Sequence, residues 1–313
     1  MSSPTDNPQR KDPAPLLAEA LEPLTKPTVT TNLGGPVATA VQKYTDLARK
    51  AYEENNADEN LEGFLWSAWQ PIFDAAEKTP VDQQEGLVQF ILELKKHDVT
   101  VKTKDSEGKE VEEVLEFEYD NKKHPIWKDL PTFGWEARER LHRVSAFAAD
   151  SKEDRAQQNR LVWLFARLTG QVAKGINVEC EVEVPGDFSL FGLWSCREVF
   201  EADQEGEGSK YIGADGELVQ GANAELASRG IMQASLWINF AGEYLWRLSQ
   251  ANREVSENSG KPGTHFQASG WKGFNKERWA VWKRGFEKAQ EWVVGEEAKE
   301  AVKMAVGVLG RLD

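Results

Sequence analysis

The sequence predicts an all-α fold: a single irregular bundle of about nine helices around a buried central helix, with a small β-hairpin insertion. Three observations carry that expectation. From Pro36 onward apolar residues recur at spacings of three and four. The stretch from Ile231 to Leu248 is apolar nearly all round, as a helix enclosed by others must be. Strict apolar–polar alternation is concentrated around residues 97–120. The 313 residues include 12 Trp, 14 Phe and 5 Tyr. At roughly 150–250 Å² buried per ring, these offset a hydrophobic share only modestly below the globular norm.

Residues 1–32 read as a Pro-rich disordered tail preceding a helical domain over 33–313. Pro4, Pro8, Pro13, Pro15, Pro23 and Pro27 interrupt any long period, and a short helix over Leu16–Glu22 lacks the propensity to stand in water. The first helix runs from Pro36 to about Glu54, with Val37, Val41, Tyr44, Leu47 and Ala48 on one stripe. The second covers Leu61–Ala76. Thr79–Pro80 then reads as an N-cap and first position for a third, which continues to about Lys96. Val99, Val101 and Thr103, a turn at Asp105–Gly108, and then Leu115, Phe117 and Tyr119 predict the acidic hairpin at 97–120. Helices resume at Trp135–Ala149 and Lys152–Val172. Val178–Val184 is read as a loop rather than an edge strand. Asp187 introduces a helix over Phe188–Ala202, 203–220 is a Gly- and Glu-rich loop, and the central helix spans 222–250. After a polar loop, Asn275 caps a helix whose inward stripe is Trp279, Trp282, Phe286, Ala289 and Val293, and Glu296–Leu309 closes the chain.

With 38 Lys+Arg against 52 Asp+Glu, the formal charge is −14. That argues against nucleic acid, whose binding needs clustered cations, and against anionic membrane surfaces. No apolar run is long enough to span a bilayer, and the first residues lack the apolar core of a secretory signal. The two cysteines, Cys180 and Cys196, and the lack of any Asn-x-Ser/Thr sequon suit a reducing cytoplasmic or nuclear compartment.

Phosphate-binding and nucleophile motifs are not found: Gly206-Glu-Gly208 lacks a third glycine and a strand–helix setting. Glu139 and His142 have a metal-compatible spacing, but a di-iron site needs two such pairs. No metal or cofactor is therefore expected. Cys180 and Cys196 read as core thiols. Two segments merit more weight. In Asp187–Glu198 apolar side chains cover most of the helix, so Arg197 and Glu198 begin near the core and require partners; Glu243 is the candidate for Arg197 by type. In Gly270–Phe286 basic and aromatic residues interleave, but the spacing turns the rings inward and leaves Lys283 and Arg284 outside. Arg278 is expected against a Trp face or a carboxylate.

The chain resembles a family of fungal proteins carrying an uncharacterised helical domain, over about residues 40–310. The resemblance is carried by Thr79-Pro80 with Gln84 and Leu87-Val88-Gln89-Phe90; by Asp187-Phe188-Ser189-Leu190-Phe191, Leu193-Trp194 and Arg197-Glu198; and by Ala234, Trp237-Ile238, Ala241-Gly242 and Leu245. It is strongest at Trp271-Lys272-Gly273-Phe274-Asn275, Glu277-Arg278-Trp279, Trp282-Lys283 and Phe286. It implies an all-α, intracellular, fungal protein and no particular activity.

The functional expectation is a non-catalytic interaction or scaffold protein with a protein partner of unspecified identity and oligomeric state. The rival is a small-molecule-binding protein or enzyme with an interhelical pocket formed by Trp194, Arg197, Glu198, Trp237, Glu243, Tyr244 and Arg278, in which Glu198 or Glu243 serves as acid or base.

Overall fold

Every helix in this chain must cover an apolar stripe, and the stripes sort the elements into two groups. The computed structural model describes residues 12–26, 33–54, 57–104, 106–119, 121–142, 151–178, 184–201 and 211–312, with backbone only over 57–60 and 142. Two compact units result, Met1–His142 and Arg143–Asp313. The fold is all-α with a small β insertion.

The first unit opens with α1 (Ala14–Leu21), followed by α2 (Gly34–Glu53), α3 (Ala57–Lys78) and α4 (Glu85–Leu94). The extension expected over 1–32 is thus corrected in part. Leu17, Leu21 and the following Leu24 are fully buried, and α1 packs on α2 and α3. Propensity alone does not hold so short a helix; three leucines on one side do, with Pro13 and Pro15 placed where the first turn tolerates them. Residues 1–11 and 27–32 lie outside the described set.

Thr79 does not cap α4. Its hydroxyl donates back to the Ala75 carbonyl at 2.6 Å, and the fully buried Gln84 takes over the junction, its amide donating to the carbonyls of Ala76 (2.7 Å) and Thr79 (2.8 Å). Gln84 thereby satisfies carbonyls at the α3 C-terminus that would otherwise be orphaned.

The insertion is two hairpins rather than one. β1 (Thr100–Lys104) pairs antiparallel with β2 (Glu110–Val114), and β3 (Glu116–Tyr119) with β4 (Lys122–Pro125). The sequence reading stopped at the acidic run and missed the return strand, because Lys122–Pro125 has neither alternation nor β-branching. α5 (Phe133–His142) completes the unit. Trp69 is its aromatic hub, edge-on to Phe133 (5.0 Å) and Trp127 (5.7 Å), with its indole N–H donating to Pro131 O and Thr132 Oγ1. Arg140 ties α5 to α3 through Glu77 (2.7 and 2.8 Å) and Asp74.

The second unit is organised by α8 (Ala224–Gln250), against which α6 (Lys152–Val172), α7 (Ser189–Phe200), α10 (Lys276–Trp292) and α11 (Glu296–Arg311) all pack; α9 (Glu257–Gly260) is a single turn in the loop before α10. At 1.5 Å per residue α8 is about 40 Å long. Asn223 caps it, its Oδ1 accepting from Glu225 N at 2.9 Å. The close crossings use glycine. A Cβ on Gly170 would collide with the Phe240 carbonyl of α8, and one on Gly192 would press on the Trp237 ring at 3.2 Å. The expected inward stripe of α10 is buried as a whole, and Cys196 is a buried free thiol. Residues 179–183, which include Cys180 and most of the expected 178–184 loop, and residues 202–210 fall outside the described set.

Candidate functional site

Three of the residues singled out by sequence, Trp194, Arg197 and Arg278, meet where the end of α7, the loop that follows α8 and the first turn of α10 come together. The loop enters α10 by a demanding route. Gly270 sits at φ 72° and Gly273 at φ 151°, conformations open to glycine, and Asn275 then caps the helix by accepting from Arg278 N at 2.8 Å. The cap places Arg278 one turn inside, facing the end of α7.

There Arg278 meets Glu201, and both side chains are 0% exposed. All five guanidinium N–H groups find acceptors. Nε and Nη2 donate to the two oxygens of Glu201 at 2.7 and 2.8 Å; Nη1 donates to the carbonyls of Gly260 and Gly273, both at 2.8 Å; and Nη2 donates also to Lys261 O at 3.0 Å. The carboxylate is equally occupied. Besides the bidentate arginine it accepts from Trp282 Nε1 at 2.8 Å and from Gly263 N at 3.0 Å. Trp271 and Trp282 present their rings to the guanidinium at 5.6 and 5.9 Å. Arg278 therefore has both partners the sequence offered as alternatives, a carboxylate and tryptophan faces. Glycine is required around this cluster: a Cβ at Gly263 would strike the Glu201 backbone, and one at Gly260 the Lys272 carbonyl.

Arg197 is buried as expected, but its partner is not Glu243. Its Nη1 donates to Ser259 O (3.1 Å) and Lys261 O (3.3 Å), and the half-buried Trp194 donates its indole N–H to Ser259 O at 3.0 Å. Glu243 lies on the exposed face of α8. The α8 face toward α7 carries Trp237 and Leu245, both close to Gly192, and helical phase turns position 243 away from it. Glu198 is half-buried on α7. Trp237 is buried under Gly192. Tyr244 is buried and donates to Asp187 Oδ2 at 2.8 Å, while Asp187 Oδ1 accepts from Ser189 N at 2.7 Å and so opens α7. Burial pushes the Asp187 carboxyl above its ordinary value against the pull of these hydrogen bonds; burial first, and the Asp187 charge next, push the Tyr244 hydroxyl up. Burial likewise drives the Cys196 thiol far from a reactive thiolate.

Thus Trp194, Arg197 and Arg278 converge on one loop, Trp237 and Tyr244 belong to the α7–α8 packing, and Glu243 belongs to neither. Sequence reasoning missed Glu201, which stands beside a glutamate-rich loop where an acidic residue attracts no notice. The available hint was its place four residues after Arg197. Among the described residues no group of three or more His, Cys, Asp or Glu side chains is placed to hold a metal ion. Glu139 is exposed, and the His142 side chain lies outside the description. A hollow of about 410 Å³ borders the cluster on its outer side at Trp271, Lys272 and Glu277, and one of about 820 Å³ lies in the first unit beside β3.

A family model described as "Protein of unknown function (DUF3632)" matches residues 69–286, more than half of the chain. The chain belongs to the DUF3632 family. No curated protein matches it, and no solved structure does. The DUF3632 match starts at Trp69 in α3 and ends at Phe286 in α10, so it contains Gln84, Glu201, the 256–274 loop, Arg278 and Trp282. No described helix of this DUF3632 protein is long and apolar enough to cross a membrane.

Proposed function

We propose that this DUF3632 protein is a non-catalytic interaction or scaffold protein of a fungal cytoplasm or nucleus. One observation supports the reading above others: at the Glu201–Arg278 pair every donor of the arginine and four acceptor positions of the carboxylate are engaged within the protein. A site poised for a polar ligand keeps donors or acceptors turned toward the space the ligand fills. Here they hold a loop between two helices. The exposure of Glu243 removes one of the two acid–base candidates of the rival reading. The buried free thiol of Cys196, the residue fingerprint that resembles a fungal family, and the absence of sequons in the sequence favour the compartment and source.

A thermal-shift panel of nucleotides, sugars, amino acids and organic acids tests the reading. A ligand present at 100 times its Kd adds about 2.7 kcal/mol to stability. The expected result is an unmoved melting temperature across the panel. A saturable rise that is lost in Arg197→Ala would overturn the scaffold reading in favour of a small-molecule site.

A further inference from the structure

Among the described residues, the strand segment 110–119 has one edge with no backbone partner. Its two halves pair with β1 and β4, and Leu115 joins them, donating to Val99 O at 2.7 Å and accepting from Ile126 N at 3.3 Å. In an antiparallel ladder the amides of alternate residues turn to the same side. With Leu115 bonded to both flanking segments, residues 111, 113, 115, 117 and 119 direct their amides toward β1 and β4, which abut end to end along one side. Glu112, Val114, Glu116 and Glu118 direct theirs the other way, and among the described residues no backbone partner meets them there. Exposed edges of this length are ordinarily capped or covered, because they template further strands.

The space beside the segment has the form an added strand requires. The 820 Å³ cleft follows residues 113–119, reaches Val101 of β1 and Lys123 of β4, and is bounded further by Tyr52, Leu61 and Glu62. Its charge is one-sided: Glu62, Glu113, Glu116 and Glu118 against Lys123. All four glutamates are exposed. At the Tyr119 end the cleft meets an exposed aromatic cluster. Trp135, 50% exposed, is edge-on to Tyr119 at 5.1 Å and packs against Trp66 at 5.9 Å. Glu118 stands across from Lys123, whereas Glu113 and Glu116 stand across from Val101 and Pro125; an acidic surface of this kind, with exposed rings near it, attracts alkyl-ammonium and guanidinium groups by charge and cation–π contact together.

We propose that this edge takes up an extended Lys/Arg-bearing segment of a partner protein, which adds as a strand alongside residues 112–118 and sets its cations against Glu116, Glu118 and the Trp135–Tyr119 rings. The proposal rests on the interaction reading above and names the partner's chemistry. A second copy of this chain, at a formal charge of −14, would bring like charge to the edge and is disfavoured by the same carboxylates.

The test uses the full chain and a capped ten-residue peptide of alternating lysine and valine, with calorimetry at low and at physiological salt. Stoichiometric binding that weakens with salt is expected. Reversing the charge in a Glu116→Lys/Glu118→Lys double variant should weaken it at least tenfold, and Trp135→Ala several-fold, with circular dichroism unchanged. The decisive probe is the same peptide N-methylated at alternate residues, which retains every charge but cannot complete a ladder; loss of binding is expected. Equal binding of the N-methylated peptide, or no binding of the parent peptide at low salt, overturns the edge proposal. A metabolite that raises the melting temperature would instead end the interaction reading, so the two failures are told apart.

Discussion

Glu201→Ala is the perturbation that reads the second unit most sharply. Removing the carboxylate leaves Arg278 charged and fully buried, still bonded to the carbonyls of Gly260, Lys261 and Gly273 but without its counter-charge. It also strands the Trp282 indole N–H and the Gly263 amide. Breaking a buried ion pair from one side costs about 3–5 kcal/mol, and each stranded neutral donor about 1–3 kcal/mol before the loop relaxes. The costs overlap, because relaxation that admits water serves several groups at once. A loss of about 4–6 kcal/mol is expected. At about 2–4 °C per kcal/mol for a domain of this size, the unit should melt about 8–24 °C lower. Urea denaturation followed by tryptophan fluorescence measures the loss, with the slope checked for constancy. The double variant Glu201→Leu/Arg278→Met, which removes both charges and retains the bulk, should recover at least half of it, since paired desolvation is avoided. A single-variant effect within about 0.5 kcal/mol, the range of ordinary surface positions, would refute the burial argument. A double variant no better than the single would refute its electrostatic part.

Four further outcomes follow from the same coordinates. Arg197→Ala should destabilise by about 2–3 kcal/mol through loss of its bonds to Ser259 O and Lys261 O; a change within about 0.5 kcal/mol in the same urea experiment would contradict its burial. Gly170→Ala should destabilise by more than 2 kcal/mol, roughly the cost of overpacking a helix crossing, whereas Gly35→Ala, with nothing within 4 Å of the added carbon, should be neutral or stabilising by up to about 1 kcal/mol. Asp187 is raised in the folded state, so its contribution is fully present below the unfolded carboxylate pKa and declines as pH rises through the folded value. Wild type should therefore lose stability relative to Asp187→Asn as pH rises above the ordinary carboxylate range, and a gain there would reverse the sign. In a Cys180→Ser background, Cys196 should resist a thiol reagent until the unit unfolds, and rapid labelling of native protein would show that α7 opens locally.

Periodicity carries far in this chain where one face of an element decides its fate. The Trp279–Trp282–Phe286–Ala289–Val293 stripe, the enclosed α8 and the Asn275 cap are all legible, because each follows from a local pattern with one physical solution. The departures share a different cause. α1 is held by leucines meeting helices far along the chain, so its own propensity is a poor guide. β4 exists because β3 offers it an edge, whatever its composition. At the site, the burial of Arg197 and the aromatic neighbours of Arg278 follow from helical phase, whereas the pairing of Arg278 with Glu201, and of Arg197 with loop carbonyls in place of Glu243, depends on where a loop 60 or more residues away returns. No periodicity encodes that return; the glycines at 260, 263 and 273 mark it only after the fold is known.

Native-state hydrogen exchange at the Trp282 indole N–H and the Gly263 amide tests the central claim most directly, since both donate to the Glu201 carboxylate. If the Glu201–Arg278 cluster is a permanent lock, both protons exchange only through global unfolding, with the same free energy and urea dependence as the α8 core amides. Exchange by a low-energy, urea-independent opening, sparing α8, would show a loop that releases in the native state, and the lock would have to be redrawn as a gate.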